Sequence, residues 1–319
     1  MLSKSINQFV DTQNLMPEGS SLVLGLSGGP DSVFLLHYLV QLKKQGHISD
    51  LIAAHLDHEW RTESKNDVEF CKKICADLNV PFETSTLSAY TNKLKYDGSK
   101  EEMARNARRL FFEEIRKKYN ADLIALAHHA QDQEETFFIR LIRGSSLSGL
   151  TSIWPKQGVY IRPLLQTNKA DIVAYLDQHT IPYLTDPTNV SPEFLRNRIR
   201  ATVLPALRTC DTRFDKNFLA TITRLQETEL YLQQHTESLF KELFLDNTID
   251  IKKLLAHPAI MQYRLLIQWL CTTSISFPPT QSFLDEIIRF LRQPESKNHS
   301  IHPSWQIIKK KNFARIDTR

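Results

Sequence analysis

The stretch Ser21-Leu-Val-Leu-Gly-Leu-Ser-Gly-Gly-Pro-Asp-Ser32 decides how this chain folds. Its first half is a short apolar run of the kind that forms a strand buried on both faces. Its second half is a glycine turn leading into a helical pattern from Asp31 to Gln45, with Val33, Leu36, Leu39 and Val40 on one side. Glycines let backbone N–H groups face an anion, and a helix N-terminus adds positive dipole behind them. Ser27 and Ser32 bring hydroxyl donors. Asp31 is an acid where phosphate is expected, which suits a Mg²⁺ ion shared between protein and nucleotide. Neither G-x-x-x-x-G-K-[ST] nor G-x-G-x-x-G occurs, so the turn is neither a P-loop NTPase site nor a dinucleotide fingerprint.

Outward from this stretch, strand and helix signals alternate. Apolar runs at 51–56, 81–87 and 122–127 read as strands; residues 64–78, 99–119 and 131–143 read as helices, the second opened by the capping box Ser99-Lys-Glu-Glu102. Strands that are apolar throughout and separated by helices predict an α/β fold with a doubly wound, mostly parallel sheet. Ligands in such sheets bind beyond the C-terminal strand ends, here near Leu26, Asp57 and Ala127. After residue 210 the pattern changes to helices at 212–245, 258–272 and 279–293, with a small hairpin at 304–308 and 312–316. The expected organisation is a catalytic domain over 1–210 and a second, mostly helical domain over 211–319.

The composition sets bounds on function. The chain has 319 residues, 41% hydrophobic and 24% charged, as in an ordinary globular protein. No run approaches the ~18–20 apolar residues of a membrane span, and the first residues lack the apolar core of a secretory signal. Four cysteines, at 71, 75, 210 and 271, suggest no disulfide framework, and Cys71-x-x-x-Cys75 is not a zinc-knuckle spacing. A reducing cytoplasm is the expected compartment. The net charge of +4 decides little, but residues 192–216 carry six Arg or Lys against three acids, and 292–319 carry seven against two. Basic excess gathered in two late segments is what a polyanion contact needs. In the second of these, Lys309-Lys-Lys311, near Trp305 and Phe313, is a candidate contact for RNA phosphates and a base.

Four further segments carry candidate chemistry. His55-Leu-Asp57-His58 ends the second strand, where imidazoles and a carboxylate could bind a nucleotide or a metal; for His55 a structural hydrogen bond is an equal alternative. The long capped helix carries Arg105 and Arg108, three apart and able to reach one anion. His128 and Asp132 follow the 122–127 strand at a spacing that puts them on one helical face, as a base/acid pair or a carboxylate steering an amine; the alternative is an N-terminal cap by Gln131 and Asp132 with His128 packed beneath. Arg196 and Arg200 share a face in Arg196-Asn-Arg-Ile-Arg200, and guanidinium forks suit phosphates.

Taken in order, these segments resemble the N-type ATP pyrophosphatases, also called PP-loop proteins, and within them the tRNA(Ile)-lysidine synthetase family. The resemblance runs through Ser27-Gly28-Gly29-Pro30-Asp31-Ser32, His55-x-Asp57-His58-x-x-Arg61 and Ala104-Arg105-x-x-Arg108. It continues through His128-His-x-x-Asp132-Gln-x-Glu-Thr136, Arg140-x-x-Arg143-Gly144, Arg162-Pro-Leu-Leu165, Asp186-Pro-Thr-Asn189 and Arg196–Arg200 with Leu204-Pro205. It implies an adenine nucleotide α hydrolase-like fold, with ATP and Mg²⁺ as cofactors. The implied partners are free L-lysine and the isoleucine tRNA with a CAU anticodon; a homo-oligomer is left open. It further implies that ATP adenylates the wobble cytidine with loss of pyrophosphate, and that lysine then displaces AMP. On this basis Asp31 holds Mg²⁺ and ATP, with Ser27, Gly28, Gly29, Pro30, Ser32, His55 and Asp57 completing the nucleotide site. Arg108, His128, Asp132 and Arg200 join Asp31 as the catalytic set, supported by Arg105, Arg143 and Arg196. Asp132 would orient the lysine amine or accept its proton. Gln131 stands where the family commonly has Asp, Arg109 where Tyr is usual, Glu59-Trp60 in place of Gly-Leu, and Ser146 in place of Gly. The competing readings are a PP-loop tRNA thiolase, which would need reactive cysteines, and a non-catalytic RNA-binding protein regulated by nucleotide.

Overall fold

In a computed structural model, residues 2–60, 64–91, 100–185, 194–272, 279–295 and 297–318 are described. Arg61, Ser99 and the Asp186-Pro-Thr-Asn189 segment lie outside them. The chain forms two compact units, Met1–Gln226 and Glu227–Arg319. The division therefore falls downstream of the pattern change near residue 210, inside a 30-residue helix, Phe214–Leu243.

The first unit opens with α1 (Leu2–Thr12), β1 (Ser20–Gly25), α2 (Pro30–Lys44) and β2 (Ile48–Asp57). It continues with α3 (Ser64–Asp77), β3 (Phe82–Thr86), α4 (Ser88–Thr91), α5 (Lys100–Lys118), β4 (Leu123–Ala125) and α6 (Ala130–Ile142). Next come α7 (Leu147–Leu150), β5 (Lys156–Gln157), β6 (Tyr160–Ile161), α8 (Lys169–Gln178) and α9 (Leu195–Arg198). A π-helical turn, Ile199–Val203, leads into α10 (Leu204–Cys210) and then α11, the long helix. The sheet order is β3-β2-β1-β4-β6-β5. All of its pairs are parallel except β5–β6.

The strands alternate as a two-faced sheet requires. Leu22, Leu24, Leu51, Ala53, Leu123 and Ala125 enter one core with residues of α1, α2, α3 and α8. Val23, Ile52, Ala54, Leu56 and Ile124 enter the other with Ala104, Ala107, Phe111 and Phe112 of α5. The doubly wound sheet is therefore as the sequence implies. Because β1 pairs with β2 on one side and β4 on the other, the winding reverses between β1 and β4. A crevice opens at such a reversal beyond the C-terminal strand ends. The loops leaving β1 and β4 are those that carry Ser27–Ser32 and His128–Asp132.

The second unit holds the expected helices as the end of α11, α13 (Ala259–Cys271) and α14 (Gln281–Arg292), preceded by β7 (Phe244–Leu245), β8 (Thr248–Asp250) and α12 (Ile251–Ala256). After α14 come β9 (Asn298–His302), β10 (Trp305–Lys310) and β11 (Phe313–Thr318). The expected hairpin is the β10–β11 pair of a five-stranded sheet, β7-β8-β11-β10-β9, which makes this unit more β-rich than its sequence suggests. β7 and β8 have two and three residues, and β9 reads Asn-His-Ser-Ile-His, so neither length nor alternation announces them. The sheet supplies Ile249, Ile307, Ala314 and Ile316 to a core with Trp269, Leu284, Ile287 and Leu291.

One basic-tip expectation is corrected here. Lys309 is buried, and its ammonium donates to the carbonyls of Leu291 (2.7 Å) and Gln293 at the end of α14. It satisfies carbonyls that a helix C-terminus leaves without partners, so it is unavailable to RNA. Lys310, by contrast, lines a cavity of about 480 Å³ together with Leu245, Thr248, Phe313 and Arg315.

Candidate active site

The glycine turn is fixed from below. The His55 imidazole donates from Nδ1 to the Leu26 carbonyl at 2.9 Å, which holds the last residue before the turn. His55 therefore acts here as a buried strut, and burial lowers its pKa. Gly28 has φ +83°, and a Cβ there would lie 2.6 Å from Leu184 Cδ1 and 3.2 Å from Cys71 Sγ. Both the conformation and the space demand glycine. Ser32 accepts the Ser27 N–H at 3.1 Å and donates to the Gly29 carbonyl at 3.0 Å, so its hydroxyl shapes the turn from within. Ser27 stands exposed at the mouth, and Pro30 begins α2 with its fixed φ. Asp57 is also used locally, accepting from Glu59 N at 2.8 Å and Ser64 Oγ at 3.2 Å.

Asp31 in the first turn of α2 faces the loop after β4. Its Oδ2 lies 3.6 Å from His129 Nε2 and 3.3 Å from Lys169 Nζ. Its Oδ1 is buried without a hydrogen-bond partner. Burial pushes the Asp31 carboxyl up, but His129 and Lys169 outweigh it and hold the group below its usual value. His129 Nε2 is also 3.6 Å from Asp132 Oδ2, so one imidazole bridges two carboxylates. Burial works against the charged ring, yet Asp31 and Asp132 win and raise its pKa. Asp132 in turn accepts the His129 backbone N–H at 3.0 Å. Burial opposes its charge, but the charged His129 and Arg196 hold it ionised.

Behind Asp132, α6 presents two fully buried glutamates. Glu135 accepts from Arg196 Nε at 2.7 Å and from Arg200 Nε at 2.6 Å. Arg196 Nη2 is also 3.8 Å from Asp132 Oδ1. Glu134 accepts from Arg208 at 2.6 Å, and Arg208 binds Asp215 at 2.8 Å. Burial pushes Glu134 up to about 7, against the pull of Arg208. The arginines expected to touch phosphate are thus first oriented by carboxylates of the neighbouring helix. Arg200 sits in the π-helical turn, a widening that is frequent at functional sites.

His128 faces a third group of charges. Burial lowers its pKa to about 4; Asp132 opposes this, while Arg162, Arg196 and Arg108 reinforce it. It is neutral at pH 7, and its Nδ1 has no partner. Arg108 donates from Nη2 to His58 Nε2 at 2.8 Å. An arginine can only donate, so His58 is neutral with its proton on Nδ1. Burial, then Arg108, lowers its pKa to about 4.

These two histidines make stability fall with acid. Between pH 6.5 and 4 the unfolded chain binds protons on them that the native state refuses, so stability declines as pH drops through that window. Glu134, raised to about 7, works in the opposite direction, since its contribution is lost as pH rises from 4.5 to 7. A His128→Gln variant separates the effects. Relative to the wild type it should gain about 2 kcal/mol between pH 7 and pH 5 in urea unfolding. An unchanged difference would mean that His128 titrates normally.

The structure therefore brings Asp31, His128, Asp132, Arg196 and Arg200 together, with Arg108 acting on His128 from the β2 side. Arg105, exposed on α5, acts on Arg108 and Arg162. Arg143 is not brought in: it caps the C-terminal end of α6, roughly 16 Å along the helix from Asp132. Residues 27–32 form the expected turn. Sequence reasoning missed His129, Glu134, Glu135, Lys169 and Arg208. The doubled acid Glu134-Glu135, opposite an arginine-rich segment, was the available signal. Gln131, in place of an expected Asp, donates to Asn168 Oδ1 at 3.1 Å and accepts the Lys169 N–H at 2.9 Å. A carboxylate could not do both, so here the amide clamps α6 to the start of α8 and sets Lys169 beside Asp31. Cys71 and Cys75 are buried, and burial pushes both thiols up to about 12, which leaves no thiolate at either of these two positions.

This fold, with its glycine turn and acid at the sheet reversal, is that of an adenine nucleotide α hydrolase-like α/β domain. The chain belongs to the PP-loop domain family, whose model matches residues 1–207. Among curated proteins it is 35% identical over 298 residues to a tRNA(Ile)-lysidine synthase of Bacillus subtilis, covering 88% of this chain and 63% of that protein. It is 37% identical over 236 residues to one of Bacillus cereus (72% and 49%) and 32% identical over 284 residues to one of Geobacillus kaustophilus (86% and 61%). The chain thus spans 49–63% of the length of these relatives. A solved U34-tRNA thiolase of Methanococcus maripaludis shares the fold, with a TM-score of 0.59 at 17% identity, over 70% of this chain and 78% of that one. Among the described residues no helix is long and apolar enough to cross a membrane.

Proposed function

We propose that this protein is a tRNA(Ile)-lysidine synthetase that uses ATP to activate the wobble cytidine of an isoleucine tRNA with a CAU anticodon. One observation carries the reading: Asp31 of the glycine turn and Asp132 of the β4 loop meet across a single histidine at the β1/β4 reversal, ringed by oriented arginines. In the first step the cytidine 2-carbonyl oxygen attacks the α-phosphorus and pyrophosphate leaves. In the second the lysine ε-amine attacks carbon 2, the C–O bond to AMP breaks, and one proton is lost from nitrogen. Backbone N–H groups of the turn and the N-terminus of α2 hold the phosphates, while Arg196 and Arg200 stabilise charge that develops on them.

Asp31 Oδ1, buried and without a partner, fits a divalent cation. Among the described residues no group of three or more His, Cys, Asp or Glu forms a protein cage. Mg²⁺ is usually held by one or two carboxylates plus substrate phosphates, and Asp31 would supply one such carboxylate. When bound, the ion would neutralise charge on the departing pyrophosphate. Asp132, held ionised, is suited to orient an incoming ammonium and is a poor proton acceptor. His128, in the loop just before α6 and not on its face as the spacing implied, is neutral and has an Nδ1 without a partner.

The test is incorporation of labelled lysine into an isoleucine tRNA transcript with ATP and Mg²⁺, with methionine tRNA as control. Incorporation into the isoleucine transcript alone supports the reading, and pyrophosphate release without lysine transfer overturns it. Asp132→Asn should lower kcat for lysine transfer by roughly a hundredfold through lost orientation. Full turnover of this variant at saturating lysine would remove Asp132 from that role.

A further inference from the structure

We propose that Trp60 is a stacking platform for an unpaired RNA base presented to the site, an inference that rests on the tRNA-modifying function above. Trp60 is 57% exposed, an unusual position for the largest apolar ring unless it has a partner in solution. It is also ordered by its surroundings. The indole stacks on His58 with ring centroids 5.0 Å apart and planes at 29°. His58 is held from its other edge by Arg108, the arginine whose charge reaches His128.

The backbone before Trp60 is fixed at a cost. Glu59 has φ +55°, a left-handed conformation that favours glycine. It is held there by the Asp57 carboxylate, which accepts its N–H, and by its own carboxylate, which accepts the Ser88 N–H at 2.8 Å. Two buttresses around a strained residue, followed by an exposed indole, present a flat apolar face three residues past the end of β2, joined through His58 to Arg108. Such a face matches a single-stranded base, which proteins bind by stacking on aromatic rings. A ring this exposed suits a base that a macromolecule brings to the rim, whereas a pocket for a small cofactor buries most of its ligand.

The experiment titrates the full-length protein with a CAU anticodon stem-loop RNA and reads tryptophan fluorescence and Kd. Trp60→Ala should weaken binding roughly tenfold. Trp60→Phe should keep near-wild-type affinity but lose most of the fluorescence quench. KM for ATP should stay within about twofold in both variants. Wild-type affinity in Trp60→Ala, or a change confined to the KM for ATP, overturns the proposal. If the wild type itself ignores the stem-loop, the function proposed above fails as well. If the wild type binds and modifies RNA while Trp60→Ala is unaltered, only the platform is wrong.

Discussion

Glu135→Ala is expected to abolish measurable lysine transfer and to lower the stability of the first unit by about 3–5 kcal/mol, the usual cost of stranding buried charges. Glu135 is fully buried and accepts from two guanidinium groups, each at charge-assisted distance. Without it, Arg200 loses its carboxylate partner on α6 and Arg196 keeps only Asp132, 3.8 Å away, so both guanidinium groups lose their fixed orientation. A displacement of 1 Å in a group that holds the reacting phosphate costs on the order of a hundredfold in rate, and here two groups move together. Glu135→Gln keeps the shape and one acceptor, so it should recover much of the stability and little of the rate. Thermal unfolding and kcat for both variants distinguish the roles. If Glu135→Ala folds and turns over normally, the arginines are not held for catalysis.

Asp31→Asn should reduce pyrophosphate release by on the order of a thousandfold and raise the Mg²⁺ concentration needed for half-maximal rate. The amide is isosteric, so the glycine turn should survive. What is lost is the charge beside a buried oxygen that has no protein partner. The change also withdraws the Asp31 carboxylate that favours the charged His129 ring, whose pKa should fall. Histidine NMR would report that fall independently of turnover. A near-wild-type rate at millimolar Mg²⁺ would sink the assignment of Asp31 to the metal.

The sheet and its reversal were legible because strands buried on both faces leave apolar runs, and a glycine turn between strand and helix has few other uses. Asp31, His128 and Asp132 were legible through their positions in motifs that resemble the PP-loop proteins, which strand-end placement alone would not have singled out. The division of labour among neighbours was not. His128 and His129 are adjacent in sequence, yet one is kept neutral by buried surroundings and arginines while the other is charged by two aspartates. Only packing separates them. Arg143 looked equivalent to Arg196, because sequence does not show that α6 carries one end away from the site. Lys309 looked like Lys310, because alternation along a strand is weak evidence when the residues are all lysine. The edge strands of the second sheet are too short for their pattern to rise above chance.

The acids of α6 and the arginines of 196–208 face each other one to two and one to one, and none of the pairs is exchangeable singly. Divergence within this lineage must therefore pass through concerted substitutions. A chimera that borrows the arginine-bearing segment from a distant cousin will function only if it borrows the acidic helix as well.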